Sequence, residues 1–325
     1  MDQRTKGVHG MKALDRFPRV SLGIFPTPIR KLENISRLLH TNVYVKRDDL
    51  TGLGLGGNKV RKLEFLLADA IAQGAEVVFT TGGAQSNHAM LTAAAAGKVG
   101  IKAILVLKQR GVTDCVGNLL LERLMGTDVR FVDTDDYAEI YAEMDRIGEA
   151  LGRPYYKIPC GGSNALGTLG YVACAISCAQ GMHFDHIVCA EGSGGTMAGL
   201  ALGAKLFLPE TKVHGMMVDR EPFDQITPAL MREAAALLET NVEITAEDYL
   251  LRDVCGEGYA IPSREGNAAV ALMAEQEGLF LDPVYTGKAF GGLIALAREG
   301  AFREEDRVLF LHSGGAGGLF AVDMK

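Results

Sequence analysis

"GLGLGGNKVRKLEFLLADA" runs from Gly52 to Ala70. Its glycine-rich opening ends at Asn58, and the apolar spacing that follows predicts a helix beginning there. Lys59 then stands on the opening turn, where unpaired N–H groups and a partial positive charge disfavour a cation. Arg61, Lys62 and Glu64 read as an ordinary solvated face. Lys59 is the odd one, an amine where the local field favours loss of its proton.

Outward from this stretch, strands and helices alternate. Strands are predicted at 42–48, 76–81, 102–107, 128–133, 186–191, 212–218 and 307–312. Helices are predicted near 87–99, 115–125, 136–150, 163–180, 195–207, 222–239, 263–276 and 286–299. Strands this apolar are buried on both faces, and the intervening helices permit parallel pairing. The fold class is therefore α/β, with parallel sheets covered by helices. Boundaries fall near 50 and 160, giving a large unit (1–50 and 160–325) and a small one (51–159).

The composition excludes several functions. The chain has 325 residues, 48 % hydrophobic and 22 % charged, with a net charge of −7. An acidic balance argues against nucleic-acid binding, which needs a basic surface. No apolar run reaches the ~18 residues of a membrane span, and the N-terminal segment lacks the apolar core of a secretory signal. A cytoplasmic protein is expected. Cys115, Cys160, Cys174, Cys178, Cys189 and Cys255 form no CxxC pair, so reduced thiols are expected rather than a metal site.

Three glycine-rich turns follow strands. "EGSGGTMAG" (191–199) opens a helix, so its N–H groups and the helix dipole make a cup for a phosphate, with the Thr196 hydroxyl as a further donor. It lacks the ending of a Walker loop and the spacing of a dinucleotide fingerprint. "TTGGAQSNHAML" (80–91) sets Ser86, Asn87 and His88 at a strand end, where open α/β sheets bind ligands. Ser86 or Asn87 also suits a helix cap. "FLHSGGAGGLF" (310–320) sets Ser313 just past a strand. An amine poised to lose its proton beside a phosphate cup suits Schiff-base chemistry with an aldehyde that carries a phosphate, which describes pyridoxal phosphate.

"KRDDLTGLGLGGNKVRKLEF", "QSNH", "PCGGSNALGTLGY", "GSGGTMAGL" and "LDPVYTGKA" together resemble the pyridoxal-phosphate enzymes of the D-cysteine desulfhydrase and 1-aminocyclopropane-1-carboxylate deaminase family, from about Phe17 to Phe320. The resemblance implies the tryptophan-synthase-β fold, two α/β domains with the cofactor between them, and a homodimer. It implies that Lys59 is the Schiff-base lysine and that Gly192, Ser193, Gly194, Gly195 and Thr196 hold the phosphate. Asn87 would lie beside the pyridine hydroxyl, Ser313 would face the pyridine nitrogen, and Ser86 would meet the substrate carboxylate. His88, Tyr259 and Tyr285 would line the substrate side, with Lys59 or a tyrosine as the base.

Within the family, the deaminases resemble "QSNQ" where this chain has "QSNH", a glutamate at Thr286 and a leucine at Ser313. All three positions side with the desulfhydrases. The implied reaction is β-elimination on a cysteine-like amino acid, D-cysteine first, giving pyruvate, sulfide and ammonia. L-cysteate sulfo-lyase is an alternative that needs a cationic or donor-rich pocket. Relatives that read "SNHxRQT" carry a basic–polar pair where this chain has Met90 and Leu91. Other β-substituted alanines, aminocyclopropanecarboxylate deamination and a non-catalytic cofactor carrier complete the alternatives.

Overall fold

The computed structural model describes residues 12–179, 181–322 and 324. Two sheets organise them. The larger takes β1 (Ile29–Lys31), β2 (Asn42–Arg47), β7 (His186–Glu191), β8 (Lys212–Met217), β9 (Leu250–Asp253) and β10 (Arg307–His312), in the order β1-β2-β10-β7-β8-β9. The smaller takes β3 (Val77–Gly83), β4 (Lys102–Lys108), β5 (Asp128–Val132) and β6 (Tyr155–Lys157), in the order β5-β4-β3-β6. Every pairing is parallel except that of β1 with β2.

Alternate strand residues feed separate cores, as expected of sheets covered on both faces. In β10, Val308 and Phe310 pack on one side, and Leu309 and Leu311 on the other. In β3 and β4, Val78, Leu105 and Leu107 face the core under helices Lys59–Ala72 and Asn87–Lys98. Val77, Phe79, Ile104 and Val106 face helix Tyr137–Leu151.

The predicted strands and helices are present within a few residues at their ends. Strands β1, β6 and β9 and helix Glu33–Leu39 were not predicted. At three or four residues with partly exposed side chains, these strands carry no readable period.

The reading of Arg61, Lys62 and Glu64 as a solvated face is wrong. They are 5 %, 0 % and 8 % exposed. Helix Lys59–Ala72 lies between the small sheet and helix Ala165–Ala179, so no side of its first turns meets solvent. Gly170 permits the approach, since a Cβ there would lie 2.5 Å from the Arg61 carbonyl oxygen. Each buried polar group has a partner. Arg61 donates through Nε and an Nη to the two oxygens of Asp48 at 2.7 and 2.8 Å. Glu64 accepts from the backbone N–H groups of Leu22 and Gly23. Lys62 donates to the Gly161 carbonyl and to Ser163.

The loop before this helix is sewn to the end of the chain. Gly57 bridges Gly314, and the Asn58 N–H donates to the Ser313 carbonyl at 3.0 Å. Gly56 must be glycine, because a Cβ there would sit 1.8 Å from the Asp49 carbonyl oxygen. The first and last motifs of the sequence thereby meet at Lys59.

Candidate active site

The carboxyl ends of strands from both sheets converge on one cleft. Gly82 and Gly83 end β3, Lys108 ends β4 and Glu191 ends β7; Cys160, Asp219 and Ser313 follow β6, β8 and β10. Such a convergence is the usual ligand crevice of open α/β sheets. The cleft is lined by polar and aromatic groups from both sheets, Lys59, Ser86, Glu191 and Tyr285 among them.

Lys59 opens its helix, with its ammonium donating to Asn58 Oδ1 at 2.9 Å. Asn58 Nδ2 in turn donates to Thr196 Oγ1 at 3.0 Å, linking the amine to the glycine turn. Burial lowers the Lys59 pKa to about 8, against the opposing pull of Cys160, Asp282 and Glu191. Roughly one amine in ten is then neutral at pH 7, against about one in three thousand for an ordinary lysine.

The turn Gly192–Thr196 leads into helix Gly195–Phe207. Ser163 Oγ sits at its centre. It accepts from the Gly195 N–H at 3.1 Å and from Lys62 Nζ at 3.2 Å, so its own proton goes to Ser193 Oγ at 3.0 Å. A Cβ on Gly195 would lie 2.8 Å from Ser163 Oγ and 2.9 Å from Lys62 Nζ. Side chains therefore pack tightly against Gly195, and the turn offers the cleft backbone N–H groups and the hydroxyls of Ser193 and Thr196, with Lys62 fully buried against Ser163. That donor set fits a phosphate. Glu191 looks out of place there, but burial raises its pKa to about 8 and it accepts from Thr227 Oγ1 at 2.8 Å. At neutral pH it is mostly uncharged and does not repel an anion.

Ser86 caps helix Asn87–Lys98, accepting from the Ala89 N–H at 3.2 Å, and keeps its own proton for the cleft. Asn87 accepts from Asn118 Nδ2 through Oδ1, which leaves its NH₂ uncommitted. His88 differs. Thr80 Oγ1 donates to the Ile158 carbonyl, so His88 Nε2 carries the hydrogen it shares with Thr80 at 2.8 Å. Burial and the charges of Lys59 and Lys62 hold its pKa well below the usual imidazole value. Its one N–H is therefore spent inside the protein. Tyr259 and Tyr285 share a hydrogen bond on the cleft wall.

Thr286 does not line the cleft. Its hydroxyl donates to Asp282 Oδ1 and accepts from the Asp282 N–H. The cleft instead gathers residues given no role in the sequence reading: Glu191, Cys160, Lys108, Arg110 and Tyr137, with Ser163 and Lys62 packed against the glycine turn. Lys62, Cys160, Ser163 and Glu191 stand inside quoted motifs; Lys108, Arg110 and Tyr137 carry no local signal. Among the described residues no His, Cys, Asp and Glu cluster could hold a metal ion, and no helix is long and apolar enough to cross a membrane.

Residues 20–314 match the family described as "Pyridoxal-phosphate dependent enzyme". The chain belongs to that family. Within it, the chain is a member of the 1-aminocyclopropane-1-carboxylate deaminase and D-cysteine desulfhydrase group. It is 46 % identical over 314 residues to a Pyrococcus horikoshii protein named "Putative 1-aminocyclopropane-1-carboxylate deaminase", covering 94 % of both chains. A protein of the same name from Pyrococcus furiosus is 42 % identical over 318 residues, again covering 94 % of both. The crystal structure titled "Crystal Structure Analysis of the ACC deaminase homologue" matches with a TM-score of 0.89 at 45 % identity, covering 96 % of each chain. A tomato (Solanum lycopersicum) threonine deaminase isoform 2 shares the fold, at TM-score 0.67 and 17 % identity over 96 % of this chain and 85 % of that one. This family's cofactor is pyridoxal phosphate, and the glycine turn with Lys59 above it has the donors that this cofactor requires.

Proposed function

We propose that this enzyme carries out β-elimination on a cysteine-like amino acid, with D-cysteine and water giving pyruvate, sulfide and ammonia. When bound, pyridoxal phosphate supplies an electron sink for negative charge at the substrate's α-carbon. In this reading the turn Gly192–Thr196, braced by Ser163 and Lys62, would hold the phosphate, and Lys59 would carry the cofactor between turnovers. The Ser86 hydroxyl and the Asn87 amide hold the substrate carboxylate. The Lys59 amine, mostly neutral above about pH 8, takes the α-proton. The Tyr259–Tyr285 pair delivers a proton from the cleft wall. The cofactor would lie between a large unit (1–50 and 160–325) and a small one (51–159).

Ser313 carries the choice of elimination. It lines the cleft, held by the bond from the Asn58 N–H to its carbonyl. A hydroxyl there supports a pyridine nitrogen only weakly, whereas a carboxylate would hold it protonated. The weaker sink suits a carbanion that expels its β-substituent at once. The names of the 46 % and 42 % identical relatives favour a second reading, opening of the aminocyclopropane ring. One assay separates them. Purified holoenzyme is incubated with D-cysteine, L-cysteine, L-cysteate and aminocyclopropanecarboxylate, and pyruvate, sulfide, sulfite and 2-oxobutyrate are measured. Sulfide with pyruvate from D-cysteine supports elimination. 2-Oxobutyrate alone overturns it.

A further inference from the structure

Two cations stand in the cleft with no role in the chemistry above. Lys108 ends β4 and Arg110 follows two residues later, and both line the same space as Lys59 and Ser86. The Arg110 backbone carbonyl accepts from the Ala84 N–H at 2.9 Å. That bond ties the segment to the loop two residues before Ser86. A Cβ on Gly83 would lie 3.1 Å from both the Arg110 carbonyl oxygen and a ring carbon of Tyr259. Arg110 and Ser86, the group assigned to the substrate carboxylate, thus line one cleft.

The Arg110 guanidinium lies over the Tyr259 ring, 5.2 Å from its centre, and makes no hydrogen bond among the described residues. Its carboxylate neighbours are Asp135 and Asp219, each held off at 3.8 Å. A guanidinium resting on a ring keeps its in-plane N–H fork free for a bidentate partner. Lys108 is 3 % exposed and sits 3.5 Å above the centre of the Tyr137 ring. It donates to the Asp135 carbonyl at 2.8 Å, with the Asp135 carboxylate 3.9 Å away. Asp135 is 68 % exposed in its side chain, so its long ion pairs with Lys108 and Arg110 are weak, while Asp219, 15 % exposed, stays beside Arg110 on the cleft wall. Burial lowers the Lys108 pKa, and Asp135, Cys160 and Glu221 act against that shift. A buried cation with one strong acceptor is short of negative charge, and a bound anion would supply it.

We propose that Lys108 and Arg110 form a recognition wall for the substrate's side chain, favouring α-amino acids whose β-substituent leaves as an anion with its electron pair: thiolate, sulfonate or phosphate ester. This rests on reading the cleft as an amino-acid elimination site, and it narrows the substrate class within that reading. The missing basic residue near position 90 is then no obstacle to an acidic substrate. Met90 and Leu91 are 2 % and 0 % exposed and face the core, whereas the cations that reach the cleft come from the end of β4. The bonds of the reaction are unchanged. The C–H bond at the α-carbon and the bond to the β-substituent break, and the substituent leaves with its electron pair toward the two cations.

The test uses holoenzyme and two amine-free anions that cannot react, 3-sulfopropanoate and butanoate. Both carry the carboxylate, and only the first carries the second charge. The expected result is a larger rise in Tm with 3-sulfopropanoate than with butanoate. The difference should shrink at high salt and vanish in Arg110→Gln and Lys108→Met, with Arg110→Lys keeping part of it. In turnover, Arg110→Gln should lower the ratio of kcat/KM for cysteate to that for β-chloroalanine at least tenfold. Equal Tm shifts in the wild type, or a difference that survives both substitutions, overturn the wall. Pyruvate from β-chloroalanine together with equal shifts leaves elimination standing and removes only the wall. An Arg110-dependent shift with no elimination product from any substrate keeps the wall and removes the reaction.

Discussion

The phenol oxygens of Tyr259 and Tyr285 lie 2.5 Å apart on the cleft wall. Burial drives both pKa values up, Tyr259 to about 12 and Tyr285 well above 10. Both phenols are therefore protonated near neutrality. One donates to the other, so the pair has a single hydrogen left for a substrate. Tyr285→Phe removes one hydroxyl and breaks this arrangement without opening a cavity. The prediction is a fall in kcat of ~100-fold with an unchanged visible absorption band of the bound cofactor, and a smaller loss for Tyr259→Phe. A Tyr285→Phe rate within about threefold of wild type would assign the residue to packing and leave Lys59 as the base.

A second prediction concerns Lys59. Borohydride reduction followed by peptide mapping should fix the cofactor to the peptide containing Lys59. The other candidate amines are engaged: Lys46 donates to the Thr27 carbonyl, Lys62 to Gly161 and Ser163, and Lys288 to the Cys255 and Gly258 carbonyls. Because the Lys59 pKa is about 8, cofactor uptake by the apoprotein should rise nearly tenfold per pH unit from 6 to 7.5 and flatten above about 8. A rate that keeps climbing through pH 10, or a label on Lys62, refutes the assignment.

What the sequence discloses depends on the range of the interaction. Strands such as Val77–Gly83 and Arg307–His312 announce themselves because each residue is buried for a local reason, its place in a covered sheet. The helix cap at Ser86 and the turn at Gly192–Thr196 are equally local. Lys62 and Arg61 are not. Their partners are Gly161 and Asp48, 99 and 13 residues away, and only the packing of helix Ala165–Ala179 removes them from water. Arg110 hides for a related reason: it follows β4 in a loop with no motif, and its meaning comes from Tyr259 beneath it. Thr286 shows the converse. A position that separates family members by resemblance here holds a turn and faces away from the cleft.

The Asp48–Arg61 pair gives a third prediction. Burial alone would raise the Asp48 pKa. The Arg61 charge, with hydrogen bonds from Arg61, Thr27 and Tyr171, outweighs it and brings the value down to about 2. A carboxylate depressed in the folded state stabilises it fully above the unfolded pKa near 3.8, and that share is lost as pH falls toward 2. Asp48→Asn should cost ~3–5 kcal/mol, because it leaves Arg61 buried and unpaired. Asp48→Leu combined with Arg61→Met should cost less than Asp48→Asn alone. Urea unfolding at pH 7 and at pH 3 checks both. An Asp48→Asn protein within ~1 kcal/mol of wild type would mean that water reaches Arg61.

The last prediction concerns Thr286, where the deaminases of the family carry glutamate. Asp282 is 1 % exposed and accepts from the N–H groups of Val284, Tyr285 and Thr286 and from the Thr286 hydroxyl. These bonds build the turn on which Tyr285 stands. Burial has already raised the Asp282 pKa, despite the four donors. Thr286→Glu would remove one donor and set a second carboxylate against the first in a space with no exposure. One of the two must then take up a proton or swing the turn open. The expected outcome is a loss of ~3 kcal/mol or more in stability and a fall in activity on every substrate, with no gain of ring opening. Thr286→Ser keeps the hydroxyl and should stay near wild type. Ser313→Leu, a change at the cleft itself, should leave stability within ~1 kcal/mol while lowering elimination. Thermal melts and product assays on the three variants decide the matter. If Thr286→Glu melts like wild type and releases 2-oxobutyrate from aminocyclopropanecarboxylate, then residue 286 reaches the substrate, and the turn built on Asp282 is not its role.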